Sequence, residues 1–196
     1  KNMFSMHVVG EKGEWSDYPL FPELFRKAGY HVTFLTNQFL PQAKAAVFDF
    51  SGGFFLNNPT LSAAQFDTRN SSLHKFDEDL LADYDTQKKQ NTNYNITIFN
   101  LIGKHVENNK RYSLNRKRFT YEDYTDFRPE LTKKRQMILA DYDNATVYYV
   151  SILNHILKRF EDQNAIVVYV PDHGEECYEG NRGFYCRNHS VKIDYD

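Results

Sequence analysis

Apolar positions fall in short blocks with distinct periods. Leu20, Leu24 and Ala28 recur at four-residue spacing, Pro22 suits a first turn, and Gly29 is placed to stop the element, which predicts a helix over residues 20–28. His31-Val-Thr-Phe-Leu-Thr36 then predicts a strand, with Asn37-Gln38 just past its carboxyl end. Residues 40–70 give no regular element: Gly52-Gly53 and Asn57-Asn58-Pro59 interrupt, while Phe48, Phe50, Phe54 and Phe55 require burial at no identifiable place. A helix is predicted over 77–90 and a polar turn over 91–95. Residues 96–102 follow as a strand, apolar nearly throughout as for one covered on both faces. Residues 106–128 form a long polar connection, a kind of loop often tied to function. After Pro129 a long helix is marked by the stripe Ile138, Tyr142, Ala145, Tyr149, Ile152, Ile156 and Phe160. Tyr142-Asp143-Asn144 breaks its apolar character, and Asp143 is expected to anchor the helix to a neighbouring loop, with a role in the site as the alternative. Residues 165–170 predict a third strand, capped by Pro171-Asp172-His173-Gly174-Glu175.

Strands alternating with helices or polar segments predict an α/β fold. In open α/β sheets, ligands bind beyond the carboxyl ends of the strands, so Asn37-Gln38, His105 and Asp172-His173 can converge on one rim although far apart in sequence. Composition agrees with a packed core: 41% hydrophobic, 16% aromatic and 26% charged residues. A net charge of −2 gives no forecast of nucleic-acid binding. The densest basic stretch, Lys110-Arg111 through Arg116-Lys117-Arg118, reads as solvated surface, with contact to anionic lipid or phosphate as the alternative. No secretory leader pattern appears, and no apolar run approaches the ~18 residues of a membrane span. The abrupt first and last residues are expected to mark a piece of a longer protein.

Asp172 and His173 pair a hard oxygen with an imidazole nitrogen, a set suited to zinc, or to manganese with more oxygen ligands. Ligation by both adjacent residues requires the chain to leave the strand conformation, which Pro171 and Gly174 permit. The plain alternative is a polar loop with a hydrogen-bonded histidine. His105, after a strand and a glycine, is a candidate proton donor or phosphate contact, or a surface histidine. His189 is a candidate ligand or leaving-group acid, or a turn histidine. Glu175 and Glu176 could orient histidines, and His155 reads as an ordinary helical residue. Cys177 and Cys186 admit three readings: reduced thiols, a disulfide or metal ligands. The tripeptides at Asn70, Asn95, Asn144 and Asn188 read as chance matches to the glycosylation pattern, and Asn95 is expected to open a buried strand. No nucleophile elbow, P-loop or dinucleotide fingerprint is present.

The run Ala140-Asp141-Tyr142-Asp143-Asn144-Ala145, followed downstream by Val170-Pro171-Asp172-His173-Gly174-Glu175-Glu176, resembles the sulfatase-type phosphoethanolamine transferases. Ile98 through His105 with Lys110-Arg111-Tyr112, and Ala28-Gly29-Tyr30 with Thr36-Asn37-Gln38, resemble further segments of that family in the same order, from about Tyr18 to His189. The resemblance implies a three-layer α/β/α sandwich of alkaline phosphatase type, incomplete at the N- and C-termini, with residues 1–196 as a partial periplasmic catalytic domain. It implies an inner-membrane enzyme whose N-terminal helices are absent here. A zinc-bound threonine would take phosphoethanolamine from phosphatidylethanolamine and pass it to a lipid A or lipopolysaccharide core acceptor. Asp172 and His173 match the zinc ligands, and His105 and His189 match two further active-site histidines. An oxidising compartment would favour the disulfide reading of the cysteines. The family's threonine and glutamate ligand are expected upstream of Lys1, leaving these 196 residues without transferase activity and with weak zinc binding. A sulfatase, phosphoglycerol transferase or phosphodiesterase on the same scaffold, or a non-catalytic binding domain, is the alternative.

Overall fold

The computed structural model describes residues 4–8, 10–14, 17–38, 63–70, 72–87, 93–105, 107–171, 173–178 and, for the backbone, 185–186. They fall into two compact units, Lys1–Ile102 and Gly103–Asp196.

The first unit is built on a parallel sheet. Helix α1, Phe21–Lys27, has Pro22 in its first turn and is followed by Gly29 at φ +90°, a left-handed turn that glycine adopts without penalty. Strand β1, His31–Thr36, is central; β2, Thr68–Arg69, flanks one side and β3, Asn95–Asn100, the other, all parallel. β1 and β3 pair from His31↔Asn95 through Thr36↔Asn100. Being covered on both sides, β1 is the strand with the deepest burial: Val32, Phe34, Leu35 and Thr36 are all at 0% exposure. β3, predicted as the doubly covered strand, is only half-buried and begins on exposed Asn95. Val32, Phe34 and Phe66 form the core here, with Leu20, Ile96 and Ile98 against it. Leu24 and Ala28 of the predicted α1 stripe remain exposed. Polar clamps hold that helix instead: Arg26 bridges Asp67 at 2.8 Å, and Gln65 Oε1 accepts from Glu23 N. Burial opposes the charge on Asp67, but the Val32 amide and the Arg26 guanidinium outweigh it and hold the carboxyl below its ordinary range. Helix α2, Asp79–Thr86, buries Leu80 and Leu81.

The second unit is organised by helix α3, Lys133–Lys158. Its buried line runs Gln136, Ala140, Asn144, Tyr148, Ile152, Ile156, with Leu139 and Ala145 beside it. The line is therefore rotated from the predicted stripe, sharing Ala145, Ile152 and Ile156. The reason is that two polar residues, Gln136 and Asn144, occupy core-facing positions where hydrogen bonds satisfy them. The preceding polar connection is wound into short 3₁₀ turns at Asn108–Lys110, Leu114–Arg116 and Tyr121–Tyr124. Strands β4, Glu176–Cys177, and β5, Tyr185–Cys186, form an antiparallel ribbon.

Residues 165–170, predicted as a buried strand, take part in no ladder among the described residues, and Ile166 is 93% and Val168 75% exposed. A strand is completed only by neighbours across its backbone, and its apolar composition supplies none.

Candidate active site

The acidic run in the middle of α3 fastens the polar connection to the helix. Tyr112 Oη donates to Asp141 Oδ1 at 2.7 Å, and Tyr124 Oη donates to the Asp143 carboxylate. Asn144, 1% exposed, accepts from the Arg118 and Phe119 amides at 2.6 and 2.9 Å and donates to the Phe119 carbonyl at 2.8 Å. Asp143 thus anchors the helix to a loop as expected, and its neighbours do the same. Burial, reinforced by the adjacent carboxylates, pushes the Tyr112 and Tyr124 phenols well above their ordinary range, so both stay protonated donors.

Two further segments are tied to the same helix. In Gly103-Lys104-His105, Gly103 has φ +55°, and a Cβ there would stand 3.3 Å from the Tyr149 ring. Lys104 Nζ donates to Tyr142 Oη at 2.6 Å and lies 4.3 Å from the centroid of that ring. His105 is exposed, and its carbonyl accepts from Arg111 Nε at 3.0 Å. Downstream, His173 Nδ1 lies 2.7 Å from the Gly174 carbonyl. A carbonyl only accepts, so Nδ1 is the donor in this contact, and in the neutral imidazole Nε2 is then the nitrogen with the lone pair. Cys177 and Tyr178 then enter the core against Leu139 and Ala140. Arg128 Nη2 donates to the Tyr178 carbonyl at 2.7 Å, and the Arg135 guanidinium lies 5.3 Å from the Tyr178 ring. Tyr142 receives both segments. Its ring packs against the cluster that holds Cys177 and Tyr178; burial raises its phenol well above the ordinary range, and the neighbouring Cys177, Glu175 and Asp143 add to the rise.

His105 and His173 therefore stand in segments joined to one tyrosine. Asp172 and His189 lie outside the described residues. Among the described residues no three histidines, cysteines, aspartates or glutamates gather as a metal set. The donor chemistry at His173 nevertheless fits a borderline cation. Asn37 and Gln38 serve the strand ends. Asn37 Nδ2 donates to Asp77, its Oδ1 accepts from the His74 amide, and Gln38 Nε2 donates to the Leu101 carbonyl. His155 is exposed near the end of α3. The ribbon places Cys177 opposite Tyr185 and Cys186 opposite Glu176, so the two cysteines are not register partners in it. Asn70 and Asn144 are buried and hydrogen-bonded, which leaves no room for a glycan, whereas Asn95 is exposed. Lys104 and Tyr142 were not singled out from sequence. A tyrosine inside an acidic run on an otherwise amphipathic helix was the available signal.

The sequence profile of the sulfatase family matches residues 1–195. The chain belongs to the sulfatase family. Within it, the chain is 25% identical over 163 residues to phosphoethanolamine transferase EptC of Escherichia coli O18:K1:H7. It is 26% identical over 164 residues to EptC of Escherichia coli K12 and likewise to phosphoethanolamine transferase CptA of Salmonella typhimurium. Each match covers 82% of this chain and 27% of the relative, so the chain spans about a quarter of these curated relatives. Among solved structures, the C-terminal periplasmic domain of Escherichia coli EptC superposes with TM-score 0.77 at 23% identity, covering 95% of this chain and 51% of that one. The same domain in complex with Zn gives 0.71 at 24%, covering 87% and 47%. The corresponding domain of Campylobacter jejuni EptC gives 0.67 at 21%, covering 98% and 58%. These likenesses establish the fold, the α/β architecture of alkaline phosphatase type. Among the described residues no helix is long and apolar enough to cross a membrane.

Proposed function

We propose that these residues belong to the periplasmic catalytic domain of an inner-membrane, metal-dependent phosphoethanolamine transferase. The observation that carries this reading is the similarity, over 82% of the chain, to enzymes named for that activity. The donor is phosphatidylethanolamine and the acceptor a lipid A or lipopolysaccharide core group. Asp172 and His173 would hold zinc, which when bound would supply Lewis-acid polarisation of the phosphoryl group and a lowered pKa for the nucleophile. The contact of His173 Nδ1 with the Gly174 carbonyl supports this role, since it leaves Nε2 of the neutral ring for the metal. His105 and His189 contact the phosphoryl group and the leaving oxygen. The threonine that carries the covalent phosphoethanolamine lies outside these 196 residues. Its oxygen bonds to phosphorus as the diacylglycerol oxygen departs with a proton, and the acceptor oxygen then reverses the exchange.

The test is transfer from a fluorescent phosphatidylethanolamine by the full-length protein with zinc. Asp172→Ala and His173→Ala should each lower turnover about 100-fold or more, the scale of losing one electrostatic contact at a reacting centre. His155→Ala should leave it near the parental rate. Full turnover by either of the first two variants refutes the assignment.

A further inference from the structure

The turn between Tyr112 and Phe119 carries charge that the proposed site does not use. We infer that this turn docks on an anionic lipid bilayer, with Leu114 entering the headgroup region and Arg116, Lys117 and Arg118 meeting the lipid phosphates. The inference rests on the reading above for the nearness of a membrane, and adds the surface that meets it.

Charge is the first observation. From Tyr112 to Phe119 the sequence has cations at 116, 117 and 118 and no acidic residue. Upstream, Lys110 is paired with Glu107 at 2.6 Å, and Arg111 donates to the His105 carbonyl. Downstream, the Asp123 carboxylate accepts from the Thr120 amide at 2.7 Å. None of the ion pairs among the described residues engages Arg116, Lys117 or Arg118. The second observation is exposure. Residues 114–118 are all exposed, and Leu114 is 83% so. A single exposed leucine needs no explanation. Beside three unpaired cations it matches an interfacial surface, where apolar side chains enter the headgroup boundary and basic ones stay at the phosphates. The third observation is that the turn is held ready. Leu114–Arg116 is a 3₁₀ turn closed by the Arg116 amide on the Ser113 carbonyl at 2.8 Å. Both of its flanks are fastened to α3, Tyr112 to Asp141 and the Arg118 and Phe119 amides to Asn144. A surface already ordered loses little conformational freedom on binding. Each basic residue near an anionic bilayer strengthens binding about 5-fold, so three together give about 100-fold. Nucleic acid fits less well, because residues 112–119 offer no exposed aromatic ring on which a base could stack.

The experiment uses the full-length protein in vesicles with brominated acyl chains, made of phosphatidylcholine alone or with added phosphatidylglycerol. Leu114→Trp introduces an indole at the turn, and the parental protein supplies the background emission. The added emission should be quenched in phosphatidylglycerol vesicles at low salt and should recover in phosphatidylcholine or at high salt. Replacing Arg116, Lys117 and Arg118 together by serine should cut the quenched fraction about 10-fold or more. Quenching that is absent, equal in the two lipids, unchanged in the serine variant, or reversed by inorganic phosphate at constant ionic strength overturns the inference. Exposed positions such as these tolerate substitution; if Leu114→Trp nevertheless fails to fold, Asn115→Trp, at the exposed neighbouring position, gives the same readout. Transfer from fluorescent phosphatidylethanolamine added to the same vesicles keeps the two readings apart. Transfer without quenching overturns the docking surface alone. Quenching without transfer leaves the surface standing and overturns the transferase reading.

Discussion

A buried amide can do the work of a missing strand or loop partner, and this chain uses the device twice. Asn70 accepts from the Thr36 amide at 2.9 Å and donates to the Thr36 carbonyl at 2.8 Å, completing the backbone bonding of β1 where β2 has ended. Asn144 does the equivalent for residues 118 and 119 and reaches Tyr112 Oη at 3.5 Å. Its replacement by alanine removes the partner of two amides and a carbonyl in a part-buried site. Each such group costs about 1–3 kcal/mol, and partial relaxation recovers some of the sum, so Asn144→Ala should destabilise the unit by about 3 kcal/mol in urea unfolding. Asn144→Asp keeps the two acceptor contacts but loses donation to Phe119 and buries a charge, and it should not restore stability. A loss under 0.5 kcal/mol for the alanine variant would mean that residues 118 and 119 are held by something else.

At the scale of elements, α1, β1, α2, β3 and α3 were legible because their apolar periods and punctuation agree, as with Pro22 and Gly29 around α1. What escaped was whatever depends on distant partners. β2 is two residues long, Thr68–Arg69, too short for any period and defined only by its pairing to β1. The buried face of α3 was misplaced because Gln136 and Asn144 look solvent-facing until their hydrogen bonds are seen. Residues 165–170 failed in the opposite direction, since apolar composition marks a need for burial and not its fulfilment. The candidate site was half legible. His105 and His173 were marked by their position after apolar blocks, while Lys104 and Tyr142 matter through each other and have no linear signature. The contrast between α3 and 165–170 can be measured with one chemical change. Ile152, 2% exposed, should cost about 2–5 kcal/mol on replacement by alanine. Ile166, 93% exposed, should cost less than about 0.5 kcal/mol in the same 196-residue chain. Equal losses in denaturant titrations would show that 165–170 is buried in solution.

For the whole molecule, the proposed metal couples binding to stability. Ligand that binds only the folded state adds about 2.7 kcal/mol when present at 100 times its dissociation constant. In the proposed reading Asp172 and His173 would supply two donors, whereas structural and catalytic zinc sites draw on three or four protein ligands. In the proposed reading the others come from the glutamate and threonine of a segment outside these 196 residues. The expected pattern is therefore asymmetric. Micromolar zinc should raise the melting temperature of the full-length protein by several degrees, EDTA should reverse the rise, and His173→Ala should abolish it. The 196-residue chain should show almost no shift at the same zinc concentration. Because binding to unfolded cysteine and histidine opposes the effect, the comparison belongs at low metal excess, where only a site assembled by the fold competes. A full shift in the 196-residue chain would mean that its own residues complete the coordination sphere, and would move the missing donors to positions within it.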